Sequence, residues 1–251
     1  MRTVTISATV LTACLLLSTS AAQAAEIRVL CSNGVKAAVE VLGPQFERAT
    51  GNTLLIEFST AATLRERIER GDAFDVAILT DDAVDGLIKS GALTSSMRTE
   101  LARVGIGVGF RKGAARPDVR SSAAITQVLL KAKSIAYTGN GATRPYIDKM
   151  FASLGLTREL ESKAHLTAAG AAPTSVAKGE SELVITLISE ILPEPGVELA
   201  GPLPTEFQSY LGFAAAPAAR TSKAAAAQAL ITFLDGSAAA ATYKAKGMEP
   251  Q

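Results

Sequence analysis

Residues 27–51, IRVLCSNGVKAAVEVLGPQFERATG, hold the pattern that decides the fold. Ile27–Leu30 is a short, continuous apolar run with β-branched residues, the composition of a strand covered on both faces. It leads into Cys31-Ser32-Asn33-Gly34, a cluster of small residues. An amphipathic stretch, Ala37–Thr50, follows and is closed by Gly51. A strand, a polar turn at its C-terminal end and a helix stopped by glycine make the first half of a βαβ unit.

The alternation continues along the chain. Leu54–Phe58, Val76–Leu79, Val104–Phe110, Ser134–Thr138 and Leu183–Leu187 read as strands. Leu64–Arg70, Val84–Ser90, Tyr146–Leu154 and Ala224–Leu234 carry apolar residues at helical spacing. Gly51, Gly71, Gly91, Gly155, Gly179 and Gly247 follow helical stretches, where a missing Cβ admits a left-handed cap. The expected class is therefore α/β with mostly parallel sheets. About a hundred residues after the first unit the design recurs: Ile135–Tyr137 runs into Thr138-Gly139-Asn140-Gly141-Ala142-Thr143 and then a helix. Ligands of open α/β sheets bind at the C-terminal ends of the strands. Two such units predict two similar Rossmann-like lobes, each offering one jaw of a cleft.

The first residues predict export. Arg2, the apolar run from Val4 to Leu17 and Ala22-Gln23-Ala24 are the three parts of a secretory signal peptide, residues 1–25, with cleavage after Ala24 or Ala25. Leu11-Thr12-Ala13-Cys14 also fits the lipidation box of an exported lipoprotein, although Leu15-Leu16-Leu17 carry the apolar run past the cysteine. Both readings place the mature chain beyond the membrane, and the first places it free in the periplasm. Its length suits two lobes of about 110 residues each.

Composition removes several function classes. Lys plus Arg is 25 against 24 for Asp plus Glu, and loss of Arg2 leaves 24 against 24. A neutral chain offers no electrostatic footprint for nucleic acid. Cys31 is left without a disulfide partner once Cys14 departs, and the single His165 rules out a Cys/His metal centre. With no Trp and 5% aromatics, an aromatic-lined sugar groove is not expected. No cofactor and no metal are expected. Enzymatic motifs fail as well. There is no Gly-x-Ser-x-Gly and no Walker loop, and Gly105-Ile106-Gly107-Val108-Gly109 sits inside a strand-like run. Cys31 reads as a packed strand residue and His165 as part of a strand-like Ala-His-Leu-Thr, rather than as a nucleophile and its base.

What remains is binding. Ser32, Asn33 and Gly34 open the first helix; Ser59, Thr60 and Ala61 open the second. Thr138, Asn140, Gly141, Thr143 and Arg144 open a helix in the other half, and Gly170–Ser175, with Thr174, opens a fourth. Plain capping accounts for any one of these segments. Four together place free first-turn N–H groups where a helix dipole favours negative charge. Arg144 is the fixed charge among them, either a bidentate carboxylate clamp or a solvated surface group.

At these residues the sequence resembles the type II periplasmic solute-binding proteins, in the molybdate-binding family of ABC-transporter receptors. The resemblance rests on the opening strand into Ser32, on Ser59-Thr60-Ala61-Ala62-Thr63-Leu64 with Ile68, and on Gly71-Asp72-Ala73-Phe74-Asp75-Val76. Further marks are Ala177-x-Gly179-Glu180-Ser181-Glu182, Phe233-Leu234-Asp235-Gly236-Ser237 and Lys246-Gly247-Met248-Glu249-Pro250. It implies two lobes joined by two crossing strands, residues 26–104 plus 212–251 and residues 105–211, that close on the ligand. The family's oxyanion is held by Ser hydroxyls of the first two loops, by backbone N–H groups of the second lobe and by a Tyr hydroxyl. Ser32 matches the first Ser. The Ser-Gly pair of the second loop falls on Ala61-Ala62, leaving Ser59 or Thr60 to substitute, and the Tyr falls near Thr186. The expected function is that of a monomeric receptor, not an enzyme, delivering a molybdate-like oxyanion to an inner-membrane ABC permease. The alternatives are the same fold with a small carboxylate, a receptor that signals to a membrane sensor, or a periplasmic enzyme of another kind.

Overall fold

A computed structural model describes residues 24–251. The signal-peptide and Cys14 readings lie outside the described residues. The first half comprises β1 (Glu26–Ser32), α1 (Asn33–Thr50), β2 (Thr53–Ser59), α2 (Ala61–Glu69), β3 (Val76–Thr80) and α3 (Asp81–Lys89). Next come β4 (Thr99–Arg111), α4 (Ser122–Lys131), β5 (Ile135–Thr138), α5 (Arg144–Ser153), α6 (Thr157–Glu161) and β6 (Ala164–Thr167). They are followed by α7 (Ala172–Ala177), β7 (Leu183–Leu187), α8 (Ile188–Ile191) and β8 (Val197–Pro202). The chain then returns through β9 (Tyr210–Pro217), α9 (Ala224–Leu234), α10 (Ser237–Ala245) and β10 (Glu249–Pro250).

The strands follow the order β2-β1-β3-β9-β4-β7-β5-β6, with β8 and β10 also paired to β4. β1 runs parallel to β2 and β3, and β5 runs parallel to β6 and β7. These two parallel groups are joined through antiparallel β9 and β4. β4 is the crossing strand: Thr99–Gly105 pairs with β9, whereas Ile106–Phe110 pairs with β7. The return passage runs beside it. The Leu203 N–H donates to Ile106 O at 3.0 Å. The Gln208 amide then accepts from Ile106 N–H and donates to Ile106 O, both at 2.9 Å.

Both sheet faces are covered, which explains the continuous apolar strands. On β3, Val76 and Ile78 join the main core while Ala77 and Leu79 face α2 and α3 residues Leu64, Val84 and Leu87. On β5, Ile135 and Tyr137 join the main core while Ala136 packs with Val176 and Ile191. Period-two alternation between two apolar layers leaves no polar face in the strand. α1 packs on β1 with α9, where Phe46 meets Phe233 edge-on at 5.6 Å. The six glycines predicted to close helices have φ between 68° and 95°. Among the described residues, no single helix is long and apolar enough to cross a membrane.

The family-like motif Gly71–Val76 has a structural role. Asp75 accepts from the Arg28 N–H at 2.8 Å, from the Thr221 hydroxyl at 2.6 Å and from the Lys223 ammonium at 3.0 Å. It thereby ties β1 and β3 to the loop that opens α9. Burial alone would raise its carboxyl, but these three donors hold it below the ordinary carboxylate range. The adjoining cavity of about 750 Å³ lies on this edge, away from the strand ends that face each other.

Candidate functional site

The C-terminal ends of β1, β5 and β7 meet around an enclosed space of about 20 Å³. From the first group of elements come Ser32, Asn33 and Gly34 at the start of α1, and Thr60 and Ala61 at the start of α2. From the second come Thr138, Gly141, Ala142 and Thr143 ahead of α5, Gly170 ahead of α7, and Thr186, Leu187 and Glu190; Phe213 of β9 closes the floor.

Helix starts supply the polar surface. Ser32 caps α1 in extended conformation, yet its side chain makes no bond to its own helix, and it is 5% exposed. Its hydroxyl is thus left open to the space rather than spent on capping. Thr60 does cap α2, accepting from the Thr63 N–H at 3.2 Å. The Ala61 and Ala62 N–H groups precede any intrahelical acceptor. Thr143 stands at the start of α5 with no side-chain cap bond and is 3% exposed. Among the described residues, no Lys or Arg lines this space. Donors are therefore hydroxyls, amides and N–H groups at the positive ends of α1 and α2 and in the turn before α5, a set that stabilises negative charge without a countercharge.

The structure brings Ser32, Asn33, Thr60, Ala61, Thr138, Gly141, Thr143 and Thr186 together around this space. Four expected residues lie outside. Ser59 ends β2 in register with Ser32 and stays outside the lining. Asn140 and Arg144 line a wider mouth of about 680 Å³, where Asn140 donates to the Thr63 hydroxyl across the cleft at 3.0 Å. Arg144 is engaged on its own helix: its Nε reaches both Asp148 oxygens at 2.6 and 2.8 Å, and its guanidinium sits 5.3 Å from the centre of the Tyr137 ring. Thr174 donates to Glu194 at 2.7 Å and lines a side cavity of about 250 Å³.

Glu190 was not anticipated. It enters because α8 begins directly after β7, so that position 190 returns to the level of Thr186, whose hydroxyl donates to Glu190 Oε2. The four-residue spacing of a threonine and a carboxylate was the available signal. The improbable Cys31–His165 pair is absent. Burial, with the Glu40 charge adding, drives the Cys31 thiol far up, while His165 Nδ1 bonds the Ser181 hydroxyl at 2.6 Å on the opposite end of the sheet.

The two halves are drawn close at this point. The Ser189 hydroxyl donates to Gly34 O at 2.6 Å, and a Cβ on Gly34 would stand 2.7 Å from Leu187 Cδ1 and press into the Phe213 ring.

Known proteins resemble this chain. Residues 27–249 match the family of bacterial extracellular solute-binding proteins. A Pseudomonas protein named aconitate isomerase is 29% identical over 230 residues, covering 89% of this chain and 87% of that protein. The molybdate-binding protein of Azotobacter vinelandii is 28% identical over 235 residues, covering 90% and 91%. A solved structure of a periplasmic molybdate-binding protein from Azotobacter vinelandii superposes with a TM-score of 0.74 at 19% identity, over 88% of this chain and 98% of that one. The common fold is that of the type II periplasmic binding proteins.

Proposed function

Because the chain belongs to the family of bacterial extracellular solute-binding proteins, we propose that it captures a small anion in this cleft and delivers it to an inner-membrane ABC permease. The protein would work as a soluble periplasmic monomer. Its lobes would be residues 26–104 with 212–251, and residues 105–211, hinged where β4 and the return passage cross. The observation that carries this reading is the convergence of the α1 and α2 starts with the turn before α5 on one cation-free space. Oriented N–H and O–H dipoles replace the water of a compact oxyanion and need no reorganisation to do so.

The engagement of Arg144 with Asp148 favours a compact oxyanion over a clamped carboxylate. Thermal-shift and calorimetric titration with molybdate, tungstate, sulfate and a series of di- and tricarboxylates test this. Ser32→Ala removes a hydrogen bond to a charged ligand, about 1.5–3 kcal/mol, so affinity should fall about ten- to a hundredfold. Arg144→Ala should leave oxyanion affinity within about threefold. A large loss with Arg144→Ala, together with preference for carboxylates, would replace the oxyanion by an organic acid.

A second reading rests on the relative named aconitate isomerase. Glu190 is the ionisable carboxyl of the inner cavity, and a base there suits a 1,3-proton shift. A proton leaves the CH2 beside the double bond, the double bond migrates, and the proton returns to the far carbon, with no atom gained or lost. Proton NMR in D2O checks it: conversion of cis to trans isomer that disappears in Glu190→Gln supports the enzyme, and bound but unconverted aconitate retires it.

A further inference from the structure

Among the described residues, one ionisable side chain lines the inner cavity, and binding by dipoles alone leaves its proton unused. Glu190 is half-buried and lines both the inner cavity and the 250 Å³ side cavity, so it forms part of the wall between them. Thr186 holds one of its oxygens. Burial raises its carboxyl above the ordinary range, and bonds from the Thr186 hydroxyl and the Leu187 backbone offset part of that rise.

The neighbouring charges stand on the side-cavity side. α1 contributes Lys36 and Glu40, which pair with each other at 3.7 Å; the turn after α8 contributes Glu194, held by Thr174. None of the three lines the inner cavity. An ionised carboxylate about 4 Å from a bound anion, at an effective dielectric of about 20, opposes it strongly enough to cancel several hydrogen bonds. A neutral carboxyl removes that repulsion and adds an O–H donor.

Resting on the reading of the cleft as an anion site, we propose that Glu190 binds the ligand as a neutral carboxyl, so that each anion captured brings in one proton. Thr186 fixes Oε2, and the O–H on the other oxygen points to a ligand oxygen. The ligand class follows: an anion whose oxygens only accept, such as a fully deprotonated oxyanion or a carboxylate. An anion that carries its own acidic hydrogen, such as hydrogen phosphate, supplies that proton itself and leaves Glu190 ionised.

The test is calorimetric titration of the exported chain with sulfate and with molybdate from pH 5.5 to 8.5, in two buffers of different ionisation enthalpy. The wild type should take up close to one proton per anion above the Glu190 titration, with Kd rising about tenfold per pH unit there. Glu190→Gln keeps an N–H donor and should bind with no uptake and a flat profile. Thr186→Val, which removes a bond that favours the ionised form, should move the wild-type profile to higher pH. The ligand-free protein offers a second readout. A raised folded value means that the contribution of Glu190 to stability is full below about pH 4.3 and is lost as pH rises through its folded value, a loss that Glu190→Gln should not show. Anion binding with a flat profile and no proton uptake overturns the proposal and leaves the anion cleft standing. Failure of both proteins to bind any anion at any pH overturns the cleft reading, and this proposal with it.

Discussion

Gly34→Ala is expected to cost about ten- to a hundredfold in ligand affinity. Gly34 is the second residue of α1, and the added Cβ presses on Phe213 and comes within 2.7 Å of Leu187 Cδ1. Leu187 ends β7, beyond the crossing in β4, so the strain falls where the two halves approach. Overpacking of this kind costs about 1–3 kcal/mol. Relief comes by separating α1 from α8, which lengthens the 2.6 Å bond from Ser189 to Gly34 O and parts the donors that surround the ligand. Calorimetry gives the affinity, and small-angle scattering gives the accompanying rise in radius of gyration with ligand present. Unchanged affinity and radius would show that closure does not need this approach.

Asp75→Ala is expected to have the largest effect on stability, about 3 kcal/mol for removal of a buried, paired charge. For a chain of this size that corresponds to about 6–12 °C in Tm. The loss arises because the Arg28 N–H, Thr221 and Lys223 are left without their common acceptor. Its pH dependence has a definite sign. The folded value of the Asp75 carboxyl is lowered, so its contribution is complete above about pH 4, the unfolded carboxylate value, and fades as pH falls through the folded value. The gap between wild type and Asp75→Asn, followed by thermal unfolding, should therefore narrow below about pH 4. Glu69→Ala, which breaks an exposed i,i+4 pair with Arg65, should shift stability by no more than about 0.5 kcal/mol. Equal effects from the two variants would remove Asp75 from its role as a tie.

Much of the frame was legible in the chain because its signals are local. Val76–Leu79 and Leu183–Leu187 read as strands, and the structure forms them at Val76–Thr80 and Leu183–Leu187, for an apolar run of that length buried on both faces has one stable form. Elements with weak local signals were not legible. β9 carries Ala214, Ala215 and Ala216, whose small side chains favour no strand, and it forms because β3 and β4 offer free edges on either side. α8 has four residues, too few to show a period, and it holds its shape by packing on α1 and β4.

The candidate site divides along the same line. Ser32, Thr60, Thr138 and Thr143 were visible as small polar residues at helix starts, since strand-to-helix turns fix where first-turn N–H groups stand. The partners of their side chains were not visible. Asp148 lies one turn after Arg144, so a local ion pair and a ligand clamp share one sequence, and only the folded helix gives the 2.6 Å bond. Glu190 joins the inner cavity through a strand end and a helix start that both depend on contacts from far along the chain. By itself, then, the sequence determined the α/β class, the alternation of its elements and which loops open helices, because backbone preference and apolar periodicity act over a few residues. Tertiary structure alone decided that positions 32, 60, 143 and 190 line one cavity, which charges are already paired, and that a carboxyl stands among the hydroxyls and N–H groups there, because those distances are set by β4 crossing between two sheets.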